Sequence, residues 1–362
     1  MKRFKYSDVV TDQDYILLLG PGIPNHYGGM YNYVLMWLDE IKYYTKKHLL
    51  LVKTNDPIKN DFNILRKDIW SDKNQKNIKL SALAGIILPI QIVSIFFKKD
   101  LKKLISSFSI IHILTASFLT NTLIKILFHY DNNIKVIYTL HDPQSHDENI
   151  SFFGRILKEY NLKAIYRLSS KNKRLYLHLH SESLLKDCPI ISGNVIIHPH
   201  PLPKRLIKKK PLKPNNKIRF GFLGRIEPYK GLDIMFEAFK LIEHDISSFS
   251  EIVIVGRGDF NTEKWKNELS YDLTIVNQMV SDEFFHQQMC LLDCLILPYK
   301  RASQSGVGYM ALAYNIPIIA TKTGGLPDII KISKQKNSTL VPANDSIKLG
   351  EAIKKFFESL KS

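Results

Sequence analysis

The sequence is poor in cysteine and has no recognisable export signal. Its 362 residues include three cysteines, Cys188, Cys290 and Cys294, which lack the paired spacing that a structural zinc site needs. A disulfide scaffold is therefore excluded, and we expect a protein of the reducing cytoplasm. The apolar run Ile16–Leu19 is too short for the core of a secretory signal.

The sequence also lacks a long uninterrupted apolar run. Pro89 and three polar residues interrupt the longest apolar stretch, Leu80–Phe97, and a pair of lysines follows it. This stretch is too short and too polar for a membrane-spanning helix, so we expect a helix of the core. A surface helix that dips into one face of a bilayer is the alternative, because the stretch Leu80–Lys103 is apolar and then basic.

Acidic residues are scarce relative to basic ones. The chain has 34 aspartates and glutamates against 51 lysines and arginines, so its formal net charge is +17. This excess favours anionic partners such as nucleotides, phosphorylated lipids or membrane surfaces, with ordinary surface solvation as the alternative. The sequence has no RNA- or DNA-binding motif with interleaved aromatic residues, so we expect no nucleic-acid partner.

Apolar runs of strand length alternate with stretches of helical periodicity along most of the chain. This alternation predicts an α/β protein with doubly wound parallel sheets. A segment rich in proline and lysine interrupts it from His198 to Lys217, which predicts two domains. We expect a Rossmann-like domain at residues 1–201, a linker at 202–217, a second Rossmann-like domain at 218–345 and a closing helix at 346–362. The predicted strands are Tyr15–Leu19, His48–Val52, Ile110–Leu114, Val136–Leu140, Leu175–His178, Val195–Ile197, Phe220–Leu223, Glu251–Val255, Leu273–Val276, Cys294–Leu297 and Ile316–Thr321.

Two cations follow the first predicted strand of the second half. Arg225 and Lys230 stand in a connection that also contains Gly224 and Gly231. Ligands of parallel sheets bind beyond the carboxyl ends of the strands, where glycine lets the backbone approach a phosphate and a helix N-terminus adds positive potential. The connection therefore predicts an anion site, and two unrelated surface cations are the alternative.

Three more loops after predicted strands have the composition of ligand-binding loops. Ser303-Gln304-Ser305-Gly306-Val307 begins a helix, and its serines are good N-cap residues whose helix would offer free amides to an anion. Gly28-Gly29 is a similar loop in the first half, and His141 directly follows the strand Val136–Leu140. A capped helix, a tight turn and an ordinary polar loop are the respective alternatives.

Four histidines alternate at strand spacing near the predicted linker. This spacing is compatible with metal ligation, but hydrogen-bonded or exposed histidines are the favoured interpretation. The four are His178, His180, His198 and His200.

Together these residues resemble the retaining glycosyltransferases of family four, whose GT-B architecture has two Rossmann-like domains that face a central cleft. The resemblance covers nearly the whole chain. It is strongest in Phe222-Leu223-Gly224-Arg225 with Lys230-Gly231, in Ile252–Val255-Gly256 with Gly258, and from Leu297 to Asp328. Gln304-Ser305-Gly306 is similar to a subset of the family found among bacterial surface-polysaccharide enzymes.

The resemblance implies roles for the matched residues. Arg225 and Lys230 would bind a donor diphosphate, assisted by backbone amides near Gly306 and Val307. The glycines Gly28 and Gly29 would approach the same phosphates, the loop around Val280 would hold the base, and His141 would lie near the transferred sugar. The other implied donor-binding residues are Gly224, Gly256, Ser303, Gln304 and Ser305.

The sequence departs from the family at two positions. Members usually carry two glutamates eight positions apart, one for the donor sugar and one for the ribose, where this chain has Ala302 and Met310. Either the neighbouring polar residues take over these contacts, or activity is reduced. A catalytically inactive subunit that binds a nucleotide sugar is therefore the alternative to an enzyme.

The expected function is hexosyl transfer from a nucleotide-diphosphate sugar, with a UDP-sugar as the leading candidate. The implied acceptor is a saccharide or lipid-linked saccharide of bacterial surface polysaccharide synthesis, on the N-terminal half and at the inner face of the cell membrane. No Asp-x-Asp motif occurs in the expected loop, so we expect no metal and no organic cofactor. Fixed positive charge would stabilise the leaving diphosphate. The resemblance implies retention of configuration, and because no hydrolase-type carboxylate nucleophile is evident, we expect same-face attack with a donor phosphate oxygen accepting the proton.

Overall fold

The computed structural model describes ten stretches of the chain, which fall into two compact units, Met1–Pro201 and Leu202–Ser362. The described residues of each unit form one parallel β-sheet. No helix among the described residues is long and apolar enough to cross a bilayer. The stretch Leu80–Lys103, the loop residue Gly28 and most of the predicted linker lie outside the described residues. The described residues are 1–20, 29–46, 48–52, 106–115, 120–141, 152–188, 192–202, 216–259, 262–333 and 335–361.

The N-terminal unit has a seven-stranded sheet in the order β1-β7-β6-β5-β4-β2-β3, in which every pairing is parallel. Its strands are β1 (Lys2–Phe4), β2 (Ile16–Gly20), β3 (His48–Val52), β4 (Ile110–Ile113), β5 (Lys135–Thr139), β6 (Leu175–Leu179) and β7 (Asn194–Ile197). Its described helices are α1 (Gly29–Ile41), α2 (Thr120–Tyr130) and α3 (Phe152–Lys171).

Consecutive residues of the N-terminal strands enter two different cores. Ile16 and Ile110 pack in a cluster with Trp37 of α1, whereas Leu17 and Ile111 pack in a second cluster with helices α2 and α3. Side chains of a strand alternate between the faces of a sheet, so these runs are apolar throughout because both faces are covered. The continuous apolar runs therefore correctly predict a doubly wound sheet.

The C-terminal unit has a six-stranded parallel sheet in the order β10-β9-β8-β11-β12-β13. Numbered within the unit, this is 3-2-1-4-5-6, the order of dinucleotide-binding folds. The strands are β8 (Ile218–Leu223), β9 (Ser250–Val255), β10 (Asp272–Val276), β11 (Cys294–Leu297), β12 (Ile318–Thr321) and β13 (Thr339–Val341). The described helices are α4 (Leu232–Leu241), α5 (Glu243–Ile246), α6 (Thr262–Glu268), α7 (Asp282–Leu291), α8 (Gly306–Ala313), α9 (Leu326–Ile332) and α10 (Ser346–Ser359).

Two strands escape the sequence-based prediction. Strand β1 is mostly exposed and pairs only with β7, and β13 is half-buried and pairs only with β12. Each is three residues long and lies at an edge of its sheet, so neither needs the apolar run that marks a buried strand. The strands that the sequence does predict agree with the structure to within two residues at each end.

Candidate functional site

The carboxyl ends of β8 and β11 lie side by side in the C-terminal sheet. The connection after β8 leads to β9 on one side, and the connection after β11 leads to β12 on the other. A parallel sheet has a crevice at the point where its connections diverge in this way, and ligands of α/β folds bind there. A binding site is therefore expected among the residues that follow β8 and β11.

Lys230 is held at this point by an aromatic side chain from the neighbouring strand. The residue ends a short 3-10 helix, Pro228–Lys230, and its Nζ donates a hydrogen bond of 3.1 Å to the Tyr299 hydroxyl. The same Nζ lies 4.6 Å from the centroid of the Tyr299 ring, within the range of a cation–π contact. Tyr299 follows β11 and is almost fully buried. These two contacts therefore restrict the ammonium to the carboxyl edge of the sheet.

The N-terminus of α8 meets the same place. Ser305 caps this helix by accepting a hydrogen bond from the Gly308 amide at 3.1 Å, and its Oγ lies 3.4 Å from the Tyr299 hydroxyl. A Cβ at position 224 would lie 3.3 Å from Cγ2 of Val307 and 3.7 Å from Nζ of Lys230. A side-chain-free backbone, an ammonium group and the positive end of a helix dipole thus converge within a few ångströms.

Gly231 connects Lys230 to α4 and has a backbone that requires glycine. Its φ is +68°, and a Cβ there would overlap the carbonyl oxygen of Pro298. The left-handed conformation costs an ordinary residue about 1–2 kcal/mol, before any cost of the overlap. This glycine therefore lets the Lys230 connection pack directly against the end of β11.

Gly231→Ala should lower the melting temperature and weaken anion binding, because the Cβ would push the Lys230 connection away from Pro298. Differential scanning fluorimetry with and without pyrophosphate measures both effects. Gly231→Asn separates the causes, since asparagine tolerates positive φ better than alanine but carries the same Cβ. Equal losses in the two variants indicate that the overlap dominates. A Gly231→Ala protein that melts and binds like the wild type would contradict this account of the turn.

Arg225, the other predicted cation, pairs with a carboxylate of its own connection. Its guanidinium forms an ion pair of 2.8 Å with Glu227, and 70% of its side chain is exposed. Exposed ion pairs contribute little to stability, so this one yields readily to a stronger anionic partner. Arg225 is thus available to a ligand, whereas Lys230 is already positioned.

The loop before α8 packs against the glycines that follow β12. The Gly325 amide donates to the Ser303 carbonyl at 3.0 Å, and a Cβ at position 325 would overlap the side-chain amide of Gln304. Ser303 and Gln304 are both half-buried. Of the two serines that the sequence offers as N-cap residues, Ser305 caps α8, whereas Ser303 fixes the loop through its backbone carbonyl.

The two positions that depart from the family pattern are buried. Ala302 is 8% exposed and Met310 is 6% exposed, and both belong to the core of the C-terminal unit. Apolar side chains at these positions offer no carboxylate to a ligand. The contacts that the resemblance assigns to these two positions therefore have to come from other residues.

Gly256 and Val280 lie after β9 and β10. A Cβ at position 256 would overlap the carbonyl oxygen of Gly224, so this glycine allows two strand ends to approach closely. Val280 is half-buried and packs against the core, next to Met279, which is 56% exposed. The structure gives Gly256 a packing role, and the predicted base contact of Val280 stays a prediction.

In the N-terminal unit, His141 follows β5, as the sequence predicts. Its Nε2 bonds to the carbonyl oxygen of Leu114 at 2.7 Å, and its ring meets the edge of Tyr33 at 4.6 Å between centroids. Gly29 is the first residue of α1. The half-buried His141 ring is therefore oriented by the backbone at the end of β4.

Six histidine rings gather around Tyr6, Tyr33 and Trp37, and we call this group the histidine cluster. Neighbouring ring centroids lie 4.7 to 6.2 Å apart. Four members are almost completely buried. Of the four histidines near the linker, three are buried and hydrogen-bonded and His198 is half-buried, so the favoured interpretation is confirmed in its hydrogen-bonded form. The members are His112, His141, His178, His180, His198 and His200, of which His112, His178, His180 and His200 are the buried four.

The hydrogen bonds of the histidine cluster run in one direction. A carbonyl oxygen can only accept, so Nε2 of His178 must donate to the His198 carbonyl at 3.1 Å, and its Nδ1 accepts from the Thr139 hydroxyl at 2.9 Å. That hydroxyl in turn accepts from Nε2 of His112 at 2.8 Å, and Nδ1 of His112 accepts from Tyr6 at 2.9 Å. The chain of donors uses each ring in its neutral form.

Burial keeps these rings neutral. It lowers the pKa of His112, His178 and His180 well below the usual value, and neighbouring histidines lower it further. Burial likewise lowers the pKa of His200 to about 4. Glu40 is an acidic group beside the cluster, with Oε1 at 3.3 Å from Nε2 of His198. The four buried rings of the cluster are thus uncharged at neutral pH.

Sequence reasoning missed two features of these sites. Tyr299 has no motif of its own, although its position directly after the Leu297-Pro298 strand end is a usable signal. His112 lies inside an apolar strand and shows nothing that links it to the distant His178. Their partners are separated by tens of residues, so only the paired strands reveal the contacts.

Residues 217–359 match the model of the family described as "Glycosyl transferases group 1". The glycogen synthases of Chlorobium chlorochromatii and Hydrogenovibrio crunogenus are 30% and 31% identical to this chain over 115 and 122 residues. These segments cover 31% and 32% of this chain. They cover 23% and 24% of the two relatives, so the chain matches about a quarter of their length.

Two solved structures resemble nearly the whole chain. Anabaena Alr3699/HepE, in complex with UDP and glucose, aligns with a TM-score of 0.61 at 16% identity, over 96% of this chain and 91% of that one. Sucrose-phosphate synthase from Thermosynechococcus elongatus aligns with a TM-score of 0.64 at 16% identity, over 96% of this chain and 90% of that one. The predicted α/β fold of the GT-B class is confirmed.

Proposed function

We propose that this protein is a glycosyltransferase that takes its sugar from a nucleotide-diphosphate donor. The family match of residues 217–359 and the GT-B fold support this class of reaction. The observation that carries the proposal is the convergence of Lys230, Gly224 and the N-terminus of α8 at the point where the connections of the C-terminal sheet diverge. That combination suits a diphosphate, since it joins a restrained cation to backbone amides.

The leaving diphosphate gains negative charge as its bond to the sugar breaks. Positive groups that are fixed before the reaction stabilise this charge without having to reorganise. Lys230 and the amides near Gly306 and Val307 supply such groups, and Arg225 joins them when it leaves Glu227. We propose transfer without a metal ion and with retention of configuration, in which a donor phosphate oxygen accepts the proton of the attacking hydroxyl.

The proposed donor is a UDP-sugar. Anabaena HepE was solved with UDP and glucose and also with UDP-glucose, which supports this choice for a chain of the same fold. Ser303, Gln304 and Ser305 are the polar residues proposed to replace the missing carboxylates near the sugar. Ser303 and Gln304 are half-buried, whereas the Oγ of the buried Ser305 already caps α8. The proposed acceptor is a saccharide or lipid-linked saccharide of a bacterial surface polysaccharide, bound by the N-terminal unit at the inner face of the membrane.

A UDP-sugar should raise the melting temperature more than GDP-, dTDP- or ADP-sugars do. A ligand at 100 times its Kd stabilises the folded state by about 2.7 kcal/mol, which is a shift of several degrees. Thermal-shift measurements on the purified chain test this, with UDP alone as the control for recognition of the sugar. Equal shifts with all four nucleotides would contradict the choice of base, and no shift with any of them would contradict the donor site.

A catalytically inactive subunit that binds a nucleotide sugar is the second candidate. The buried, apolar Ala302 and Met310 favour it, because they remove the two carboxylates that usually contact sugar and ribose. Transfer of the sugar from a bound donor to an acceptor or to water, measured as release of UDP by the purified chain, decides between the two. Tight donor binding without any turnover would favour the inactive subunit.

A further inference from the structure

Helix α3 exposes an unusual amount of apolar surface. Among the described residues of the N-terminal unit, five large apolar side chains are exposed, and three of them belong to this helix. Ile156 is 47% exposed, Leu157 51% and Tyr160 68%. Apolar side chains exposed singly are ordinary, but three within little more than one turn of a helix indicate a contact surface.

The same side of α3 continues as a row of cations. Lys163, Arg167 and Lys171 are exposed and follow Ile156 and Tyr160 at helical spacing, so that all five lie along one line. From Ile156 to Lys171 this line is about 22 Å long. The helix as a whole carries five cations and one carboxylate, a net charge of +4. We call the line and the adjacent Leu157 the α3 stripe.

We propose that the α3 stripe is a docking surface for an anionic lipid bilayer. The helix enters the interface tilted, so that its apolar N-terminal end reaches the acyl chains while its cationic C-terminal end stays among the headgroups. Buried apolar area and attraction to anionic lipids both contribute to such binding. Tyrosine suits the boundary because its ring is apolar and its hydroxyl is wet. The complementary charge of the whole chain, +17, adds long-range attraction to an anionic surface.

A second protein is a less complementary occupant. An acidic protein would match the cations of the α3 stripe but leave Ile156 and Leu157 against polar groups. A bilayer offers both an anionic layer and an apolar layer, in the order in which the stripe changes character. The inference deepens the proposed function by naming the surface that brings the N-terminal unit to a lipid-linked acceptor, and it rests on that function.

Sedimentation with vesicles tests the proposal without turnover. Phosphatidylcholine vesicles containing about 30% phosphatidylglycerol should bind the full chain at low salt, and pure phosphatidylcholine vesicles should bind it much more weakly. Each cation near the surface contributes about a fivefold gain in partitioning, so neutralising three should reduce binding by about 100-fold. The variant is Lys163→Gln/Arg167→Gln/Lys171→Gln.

A matched variant removes three exposed lysines from the C-terminal unit instead. It should bind within about threefold of the wild type if the contact is local to the α3 stripe. The control is Lys331→Gln/Lys336→Gln/Lys355→Gln. An equal loss in both variants would overturn the proposal in favour of general charge attraction.

The apolar end has its own pair of variants, compared at about 0.5 M salt, where electrostatic attraction is screened. The triple serine variant of the α3 stripe should lose most of the remaining binding. The triple serine variant of the C-terminal unit, which removes side chains of similar exposure, should keep it. Unchanged binding in the first would overturn the proposal. The variants are Ile156→Ser/Leu157→Ser/Tyr160→Ser and Leu241→Ser/Ile332→Ser/Ile347→Ser.

Two further measurements keep the result specific. Donor binding by calorimetry should be the same in all four variants, so that a failure of the donor site is distinguishable from a failure of the α3 stripe. Light scattering reports whether the stripe joins two copies of the chain. Wild-type self-association that the Ile156 triple variant abolishes, with no binding to anionic vesicles, would replace the bilayer with a second copy.

Discussion

Lys230→Ala should lower kcat for sugar transfer by about 10²- to 10³-fold, the usual cost of removing one fixed donor from a developing negative charge. The ammonium is held by the Tyr299 hydroxyl and ring beside Gly224 and α8, so it is already in place to stabilise the leaving diphosphate. Initial rates of UDP release from the donor identified by thermal shift provide the measurement.

Lys240→Ala is the matched control for this prediction. It removes the same charge from the same unit, but Lys240 pairs with Glu268 on the surface at the end of α4. Its kcat should remain within about threefold of the wild type. Tyr299→Phe is the intermediate case, because it removes the hydroxyl that holds Lys230 and leaves the aromatic ring. A Lys230→Ala enzyme with wild-type kcat would contradict the proposed role.

Acidification from pH 7.5 to pH 5 should destabilise the N-terminal unit severely. The unfolded chain binds protons on its histidines near pH 6.5, whereas burial lowers the pKa of four rings of the histidine cluster in the folded chain. The unfolded state therefore binds more protons, and stability falls as the pH decreases below about 6.5. The loss continues down to the folded pKa, which is about 4 for His200.

The size of this loss in the free energy of unfolding follows from the protonation of histidines in the unfolded chain. A ring that stays neutral when folded costs about 2 kcal/mol at pH 5 relative to pH 7.5, because the unfolded ring is then mostly protonated. Four such rings together approach the whole stability of a typical domain, about 5–15 kcal/mol. Protonation also breaks the directional chain, since Nδ1 of His178 would then face the Thr139 hydroxyl with a proton of its own.

Hydrogen exchange measured by mass spectrometry reports the two units separately. Peptides from β4 to β7 should lose protection at pH 5, and peptides from β8 to β12 should change less. His180→Gln should weaken the pH dependence by about one proton, because it removes one buried ring. His129→Gln, which changes an exposed ring on α2, should not alter it. Equal protection of β4 to β7 at both pH values would contradict the account of a neutral cluster.

Much of the fold follows from local pattern. Apolar runs such as Glu251–Val255 can be buried on both faces only inside a parallel sheet that helices cover on both sides, so their alternation with helical stretches predicts the class of fold. Glycines and cations after the strands also predict where ligands approach, because all carboxyl ends of a parallel sheet share one edge. Gly224, Lys230 and the start of α8 meet there, as that rule requires.

Other features depend on contacts between distant parts of the chain. The sequence ranks Arg225 and Lys230 equally, and only the ion pair with Glu227 and the hydrogen bond to Tyr299 distinguish an available cation from a positioned one. The sequence offers two serines as the cap of α8, and only the hydrogen bond from the Gly308 amide to the Ser305 Oγ distinguishes them.

The sequence by itself determined the class of fold and the edge of the sheet at which ligands are expected, because strand and helix periodicities are local properties of the chain. The tertiary structure alone decided which side chains are neighbours. Six histidines spread from position 112 to position 200 form one cluster, since strand order in a sheet does not follow chain order. It also decided that one side of α3 stays open to solvent, because burial is a property of the packed layers and not of the helix.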